Sequence, residues 1–250
     1  MAMWDEILFY IVTGFGAQMI DGAIGMAYGL IASSVLLSAG VPPASTSACV
    51  HAAEVFTTGA SGFAHWRFGN VDRRLLWRLV VPGMIGGAIG AYVLVSLPGE
   101  RLKPWISAYL LVLGFLILLR ALYHTTKVVP MATTRVVPLG FFGGLVDAIG
   151  GGGWGPLVAS TLLANGGAPR QVIGSVNLAE FFVTLTISAT FVATVGLSMW
   201  PIVTGLVIGG VIAAPFAALA TKYLPDRLLM AVVGIVVVTL SCRTILNSLG

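Results

Sequence analysis

Charged residues are scarce in this chain: 9 acidic and 13 basic side chains make up 9% of its 250 residues. A water-soluble domain carries nearer a quarter, so a soluble globule is excluded. Cysteine is almost absent, and Cys49 and Cys242 sit in apolar stretches without CxxC spacing, which marks them as packing residues rather than a redox or metal pair. Histidine occurs three times. His51 and His65 share one helix and lie roughly 21 Å apart by rise, so they cannot grip a haem from facing helices. The basic residues are scattered at segment ends, so the net charge of +4 does not form a nucleic-acid surface. The first residues carry Asp5 and Glu6 where a cleaved signal peptide carries Lys or Arg, so the first segment is expected to be retained. No cofactor, metal or catalytic constellation is expected, and the chain is not read as an enzyme.

What is abundant is apolar sequence. Hydrophobic residues reach 58% and the mean hydropathy is +0.99. Apolar stretches run roughly over 7–20, 22–39, 44–66, 75–97, 104–122, 136–149, 153–165, 171–195, 199–221 and 227–247, with glycine and proline inside them as membrane helices tolerate. The expected fold class is an all-α polytopic membrane protein of about 8–10 helical segments, one integral membrane domain overall.

The chain also contains itself twice. Sliding it by 126 positions lays Gly14-Phe15, Asp21, Gly25, Gly29, Leu36-Leu37, Gly40, Pro43, Glu54, Phe56 and Thr58 onto Gly140-Phe141, Asp147, Gly151, Gly155, Leu162-Leu163, Gly166, Pro169, Glu180, Phe182 and Thr184. Over the 45 pairs from Gly14/Gly140 to Thr58/Thr184, 15 are identical, without a gap. The matches fall on glycines, prolines and carboxylates rather than on interchangeable aliphatics. A duplicated apolar chain with matched acids points to a transporter with its site between the repeats, 1–125 and 126–250.

The stretch from Asp5 to Ser38 is too long for one straight span, since 34 residues at 1.5 Å give roughly 50 Å against a core of about 30 Å. Its glycines, and the run Gly150-Gly151-Gly152-Gly153 in the second copy, place breaks near Asp21 and Asp147. Each break returns the chain to its starting side, as a re-entrant hairpin or as two short spans. Each half then adds three spanning helices, and the repeats invert. Inversion places Arg67, Arg73, Arg74, Arg78, Arg120, Lys127, Arg135, Arg170, Lys222 and Arg227 on one side, 10 of the 13 basic residues, as the positive-inside rule asks. The turn Arg67–Arg74 is basic, whereas the matching turn Thr194–Trp200, with Gly196–Ser198 at its centre, is uncharged. Both termini are expected outside the cytoplasm.

Glu54 lies one helical turn after His51, with Thr58 and Ser61 on the same face; the twin face carries Asn177, Glu180 and Thr184. A carboxylate deep in a membrane helix defaults to a functional expectation, against a structural one in which each Glu clamps a Gly-rich break. Asp21 and Asp147 are expected chiefly to cap the half-helices after the breaks. The glycines there let backbone donors approach an anion at a half-helix start. The candidate anion-binding set is Gln18, Gly25, Tyr28, His51, Gly151, Gly152, Gly153, Trp154 and Asn177. Glu54, Glu180, Asp21 and Asp147 are the candidates for proton coupling or structure. Two carboxylates beside an anion pose a sign problem: unit charges about 6 Å apart repel by roughly 3 kcal/mol at an effective dielectric near 20. A proton taken up as the anion arrives relieves it and couples the two fluxes. Gly83, Gly86, Gly87 and Gly90, echoed by Gly205, Gly209 and Gly210, read as helix-packing faces.

The Gly-rich first stretch of each half, the run Gly150-Gly-Gly-Gly-Trp-Gly-Pro156, the Pro-initiated polar helix, the turn Arg67-Phe-Gly-Asn-Val-Asp72 and the later Gly-rich segments together resemble the TauE/SafE family of sulfite exporters, over nearly the whole chain. The resemblance implies export of sulfite, a sulfonate such as sulfoacetate, or another small organic anion across a bacterial inner membrane. The first copy, Asp21-Gly-Ala-Ile-Gly-Met-Ala-Tyr-Gly29, has fewer glycines than the second, so the half-sites need not be equivalent. The alternatives are a permease for a carboxylate such as lactate and, in another class, a membrane redox or assembly subunit. The expected partners are a small anion, the lipid bilayer and protons, with no nucleic acid; the sequence leaves the oligomeric state open.

Overall fold

The computed structural model describes residues 3–24, 26–122, 135–165, 168–196, 199–220 and 225–249. Gly25, Lys127, Gly166, Ser198 and Lys222, all used in the sequence reading, lie outside the described residues, as does His124. Every described element is helical: α1 (Met3–Ile24), α2 (Tyr28–Ser38), α3 (Pro43–Arg67), α4 (Arg73–Ser96), α5 (Gly99–Leu122), α6 (Val136–Gly150), a π turn (Gly155–Ala159) running into α7 (Ser160–Ala164), α8 (Pro169–Thr194), α9 (Trp200–Ala220) and α10 (Asp226–Leu249). Among the described residues, five helices are long and apolar enough to cross a membrane, within α4, α5, α8, α9 and α10. The protein is an all-α polytopic membrane protein.

Local chemistry sets the helix ends. Pro43 and Pro169 stand at the first turns of α3 and α8, where a missing N–H costs nothing and φ is already helical. Asp72 caps α4, its Oδ1 accepting the Arg74 and Leu75 amides at 2.8 and 3.2 Å. α6 stops at Gly151, whose φ of +69° is a left-handed cap conformation suited to glycine.

The breaks fall just beyond the two aspartates. α1 ends at Ile24 and α2 begins at Tyr28, while α6 ends at Gly150 and helix resumes at Trp154. Asp21 and Asp147 therefore lie in the last turn before each break, reaching forward across it.

Glycines decide which helices touch. A Cβ on Gly14 of α1 would stand 2.3 Å from the Leu206 carbonyl of α9, and one on Gly209 of α9 would stand 2.0 Å from the Ile11 carbonyl. The same contact recurs between α4 and α6, where Gly86 meets the Phe141 carbonyl at 2.0 Å and Gly144 meets the Gly83 carbonyl at 2.2 Å. Further along, Gly205 faces Tyr10 and Gly209 faces Phe15, while Gly86 faces Phe141 and Gly90 faces Leu145; numbers rise together along both contacts, so α1 runs parallel to α9 and α6 parallel to α4. The packing role read for the glycines of α4 and α9 holds.

The remaining contacts give the topology. Gly59 packs on Phe181 and Gly62 on Leu178, so α3 runs antiparallel to its own repeat partner α8. Gly114 packs on Val237 and Gly234 on Leu118, so α5 is antiparallel to its partner α10. Equivalent helices that pair antiparallel are related by a two-fold axis perpendicular to them, which is an inverted repeat. Gly83 and Gly87 of α4 meet Val183 and Ile187 of α8 in rising order. Hence α4, α6 and α8 all point one way, and the chain turns back between α6 and α8 through α7.

Candidate functional site

The two breaks meet at the centre. A Cβ on Gly29 would lie 2.7 Å from Gly152 Cα, and in the mirror contact one on Gly155 would lie 2.7 Å from Met26 Cα. Gly29 and Gly155 are repeat partners, as are Met26 and Gly152, so the two-fold axis passes between the breaks. Gly152 adopts φ +156°, and a Cβ there would strike the Gly29 carbonyl carbon at 2.3 Å. Gly151 faces Ser33 of α2, whose hydroxyl donates to the Gly151 carbonyl. The close approach that the glycines permit is thus between the two halves of the chain.

The backbone donors at the half-helix starts are already engaged. Asp21 Oδ1 accepts the Ala27 and Tyr28 amides at 2.7 and 3.1 Å. Asp147 Oδ1 accepts the Trp154 amide at 2.9 Å, the twin of the Tyr28 bond. Each aspartate thus bridges its break by accepting amides from the start of the following helix. Glu54 Oε1 stands beside Gly29, 2.8 Å from where a Cβ there would sit, and its Oε2 is buried without a hydrogen-bond partner.

Asp21, Tyr28, Gly29, Glu54 and Thr58 from the first half and Gly153, Gly155 and Glu180 from the second line one cavity. Its volume is about 10 Å³, room for about one water molecule. Both glutamates therefore reach one small polar chamber between the two breaks. Thr58 Oγ1 donates 2.6 Å to the Glu54 carbonyl, so its polar group faces its own helix. A larger groove of about 710 Å³ between α3, α4 and α8 is lined mainly by aromatic and aliphatic side chains with Arg73 at its edge, and none of the buried acids lines it.

The other sequence candidates separate. Tyr28 lines the cavity and its hydroxyl donates 3.2 Å to the Leu206 carbonyl. Trp154 does not line it: the ring is fully buried, its Nε1 donates 3.3 Å to the Val176 carbonyl, and it packs beneath Gly83 and Gly143. Gln18 is buried on α1 with Oε1 unpartnered. Asn177 donates 3.0 Å to Ser61 across the α3–α8 contact. His51 is fully buried with Nε2 3.2 Å from Asp147 Oδ2, which ties α3 to the second break rather than to Glu54. Three participants escaped the sequence reading. Ser47, one turn before His51, bonds the Ala148 carbonyl at 2.6 Å, and helical spacing from His51 was a usable signal for it. Ser33 on α2 and Tyr109 on α5, whose hydroxyl would stand 2.1 Å from a Cβ on Gly153, had no such signal, because repeat matching does not report contacts between α2, α5 and the breaks.

The sequence pattern of the Sulfite exporter TauE/SafE family matches residues 10–244. The chain belongs to that family. It is 41% identical over 250 residues, 97% of this chain and 83% of the relative, to the probable membrane transporter protein YtnM of Bacillus subtilis (strain 168). It is 28% identical over 152 residues, 56% of this chain and 55% of the relative, to the probable membrane transporter protein ORF9 of a Sinorhizobium species. No solved structure matches it. As a TauE/SafE protein it is a membrane transporter.

Proposed function

We propose that this protein exports a small sulfur anion, sulfite or a sulfonate such as sulfoacetate, across the bacterial inner membrane with coupled proton movement. The observation that carries this reading is the small polar chamber lined by residues of both inverted halves, in a chain that belongs to the sulfite exporter family. The chamber holds about one water, so an oxyanion enters only when the breaks part. The halves 1–125 and 126–250 are the units that rearrange, and the basic turn at Arg73–Arg74 faces the cytoplasm.

Parting the breaks also resolves the anion-donor question. The amides of Ala27, Tyr28 and Trp154 are held by Asp21 and Asp147, and an oxyanion takes those donors over as the aspartates withdraw. The test is efflux from proteoliposomes loaded in turn with sulfite, sulfoacetate and lactate. Faster efflux of the sulfur anions than from protein-free vesicles supports the reading. Movement of lactate alone makes the protein a carboxylate permease, and movement of none rejects it.

A further inference from the structure

His51 has two ring nitrogens in different surroundings. Nδ1 lies 2.8 Å from the Ser47 carbonyl and 3.1 Å from Ser47 Oγ. A carbonyl only accepts, and Ser47 Oγ directs its own hydrogen at the Ala148 carbonyl 2.6 Å away. Nδ1 therefore carries a hydrogen. Nε2 in turn faces Asp147 Oδ2 at 3.2 Å, with both side chains almost wholly excluded from solvent. Two lone pairs opposed at that distance repel, so a second hydrogen lies between them, on the imidazole or on the carboxyl.

We propose that the His51–Asp147 pair is the proton-binding site of the transporter, holding one exchangeable proton in the closed state and releasing it as the α6–α7 break moves. The inference rests on the reading of the protein as a proton-coupled anion exporter. Asp147 is the mechanical link: its Oδ1 holds the Trp154 amide and its carbonyl accepts the Gly151 and Gly152 amides at 2.8 and 3.2 Å. A carboxylate that loses the shared proton faces an imidazole lone pair and is driven off, loosening the break it caps. The device exists once per chain. In the repeat-related place Asn177 stands where His51 stands, and an amide exchanges no proton at ordinary pH. The other titratable groups coupled electrostatically to Asp147 are Glu54 on α3, Glu180 on α8 and Tyr109 on α5; none hydrogen-bonds the pair among the described residues.

The first test needs no substrate. Histidine ¹⁵N NMR, with His65 and His124 replaced to isolate one signal set, should show hydrogen-bearing Nδ1 at neutral pH. A bare Nδ1 with hydrogen only on Nε2 overturns the proposal. The second test uses Asp147→Asn, whose Oδ1 still accepts the Trp154 amide and whose Nδ2 donates to Nε2, preserving both bonds without the proton; His51→Asn copies the other repeat. In vesicles carrying a lumenal pH dye, wild-type sulfoacetate efflux should raise lumenal pH as protons leave with the anion. In both variants the proton movement per sulfoacetate moved should fall by about tenfold or more. Unchanged proton movement overturns the proposal. If wild type moves no sulfoacetate, the sulfur reading fails while the NMR result still decides the proton site; if the variants do not fold, the NMR result decides alone.

Discussion

At the scale of single residues, the buried carboxylates divide by what their oxygens touch. Asp21 has backbone amides on Oδ1 and so behaves as a cap in the closed state. Asp21→Ala leaves the Ala27 and Tyr28 donors unpaired in a dry interior, and thermal unfolding in detergent should show a loss of about 1–3 kcal/mol, largely restored by Asp21→Asn, whose Oδ1 accepts the same bonds. Equal stability of the alanine variant and wild type would remove the capping argument. Glu54 is different, since Oε2 has no partner and the chamber has no cation among its described lining residues. Glu54→Gln keeps the side chain's shape beside Gly29 and removes a like charge from the anion's path. Sulfite affinity, measured by tracer binding, should then rise by as much as about a hundredfold, the equivalent of roughly 3 kcal/mol of repulsion. Proton movement should persist, because its site is the His51–Asp147 pair. Weaker sulfite binding by the glutamine variant would mean that the acid helps the anion, and the chamber would need another occupant.

At the scale of elements, the glycine run in the second break is a docking surface before it is a ligand cradle. Gly152→Val places a branched side chain on the Gly29 backbone at a φ of +156°, so it should disrupt the closed fold, seen as loss of the monodisperse peak in size-exclusion chromatography. Gly153 differs, because what its Cβ meets first is the Tyr109 hydroxyl, the far end of a side chain that can swing. Gly153→Ala should therefore stay folded, and a monodisperse Gly152→Val would contradict the close approach. This is also where sequence reasoning reached its limit. The breaks, the capping aspartates and the glycine faces of α4 and α9 were legible because repetition and helical spacing expose them. That Gly151 and Gly152 pack against α2, and that Trp154 is buried beneath α4, was not, because a one-dimensional repeat does not say which break faces which. The His51–Asp147 contact joins residues 96 apart on helices that no periodicity connects.

At the scale of the whole molecule, the antiparallel pairing of α3 with α8 puts the turn after α3 and the turn after α8 at opposite ends of the bundle. In a background lacking Cys49 and Cys242, single cysteines at Phe68 and Val195, which are 70% and 42% exposed, should label from opposite sides of the membrane with an impermeant reagent. Labelling of both from one side would refute the topology. The pairing also has a consequence for motion. Because the halves are copies laid head to tail, any distortion that uncovers the chamber on one face becomes, when the halves trade shapes, the same distortion uncovering it on the other. A perfectly matched pair would have no preferred way to face. The histidine opposite an asparagine is one of the places where the copies differ, so it is one source of a bias between the two orientations.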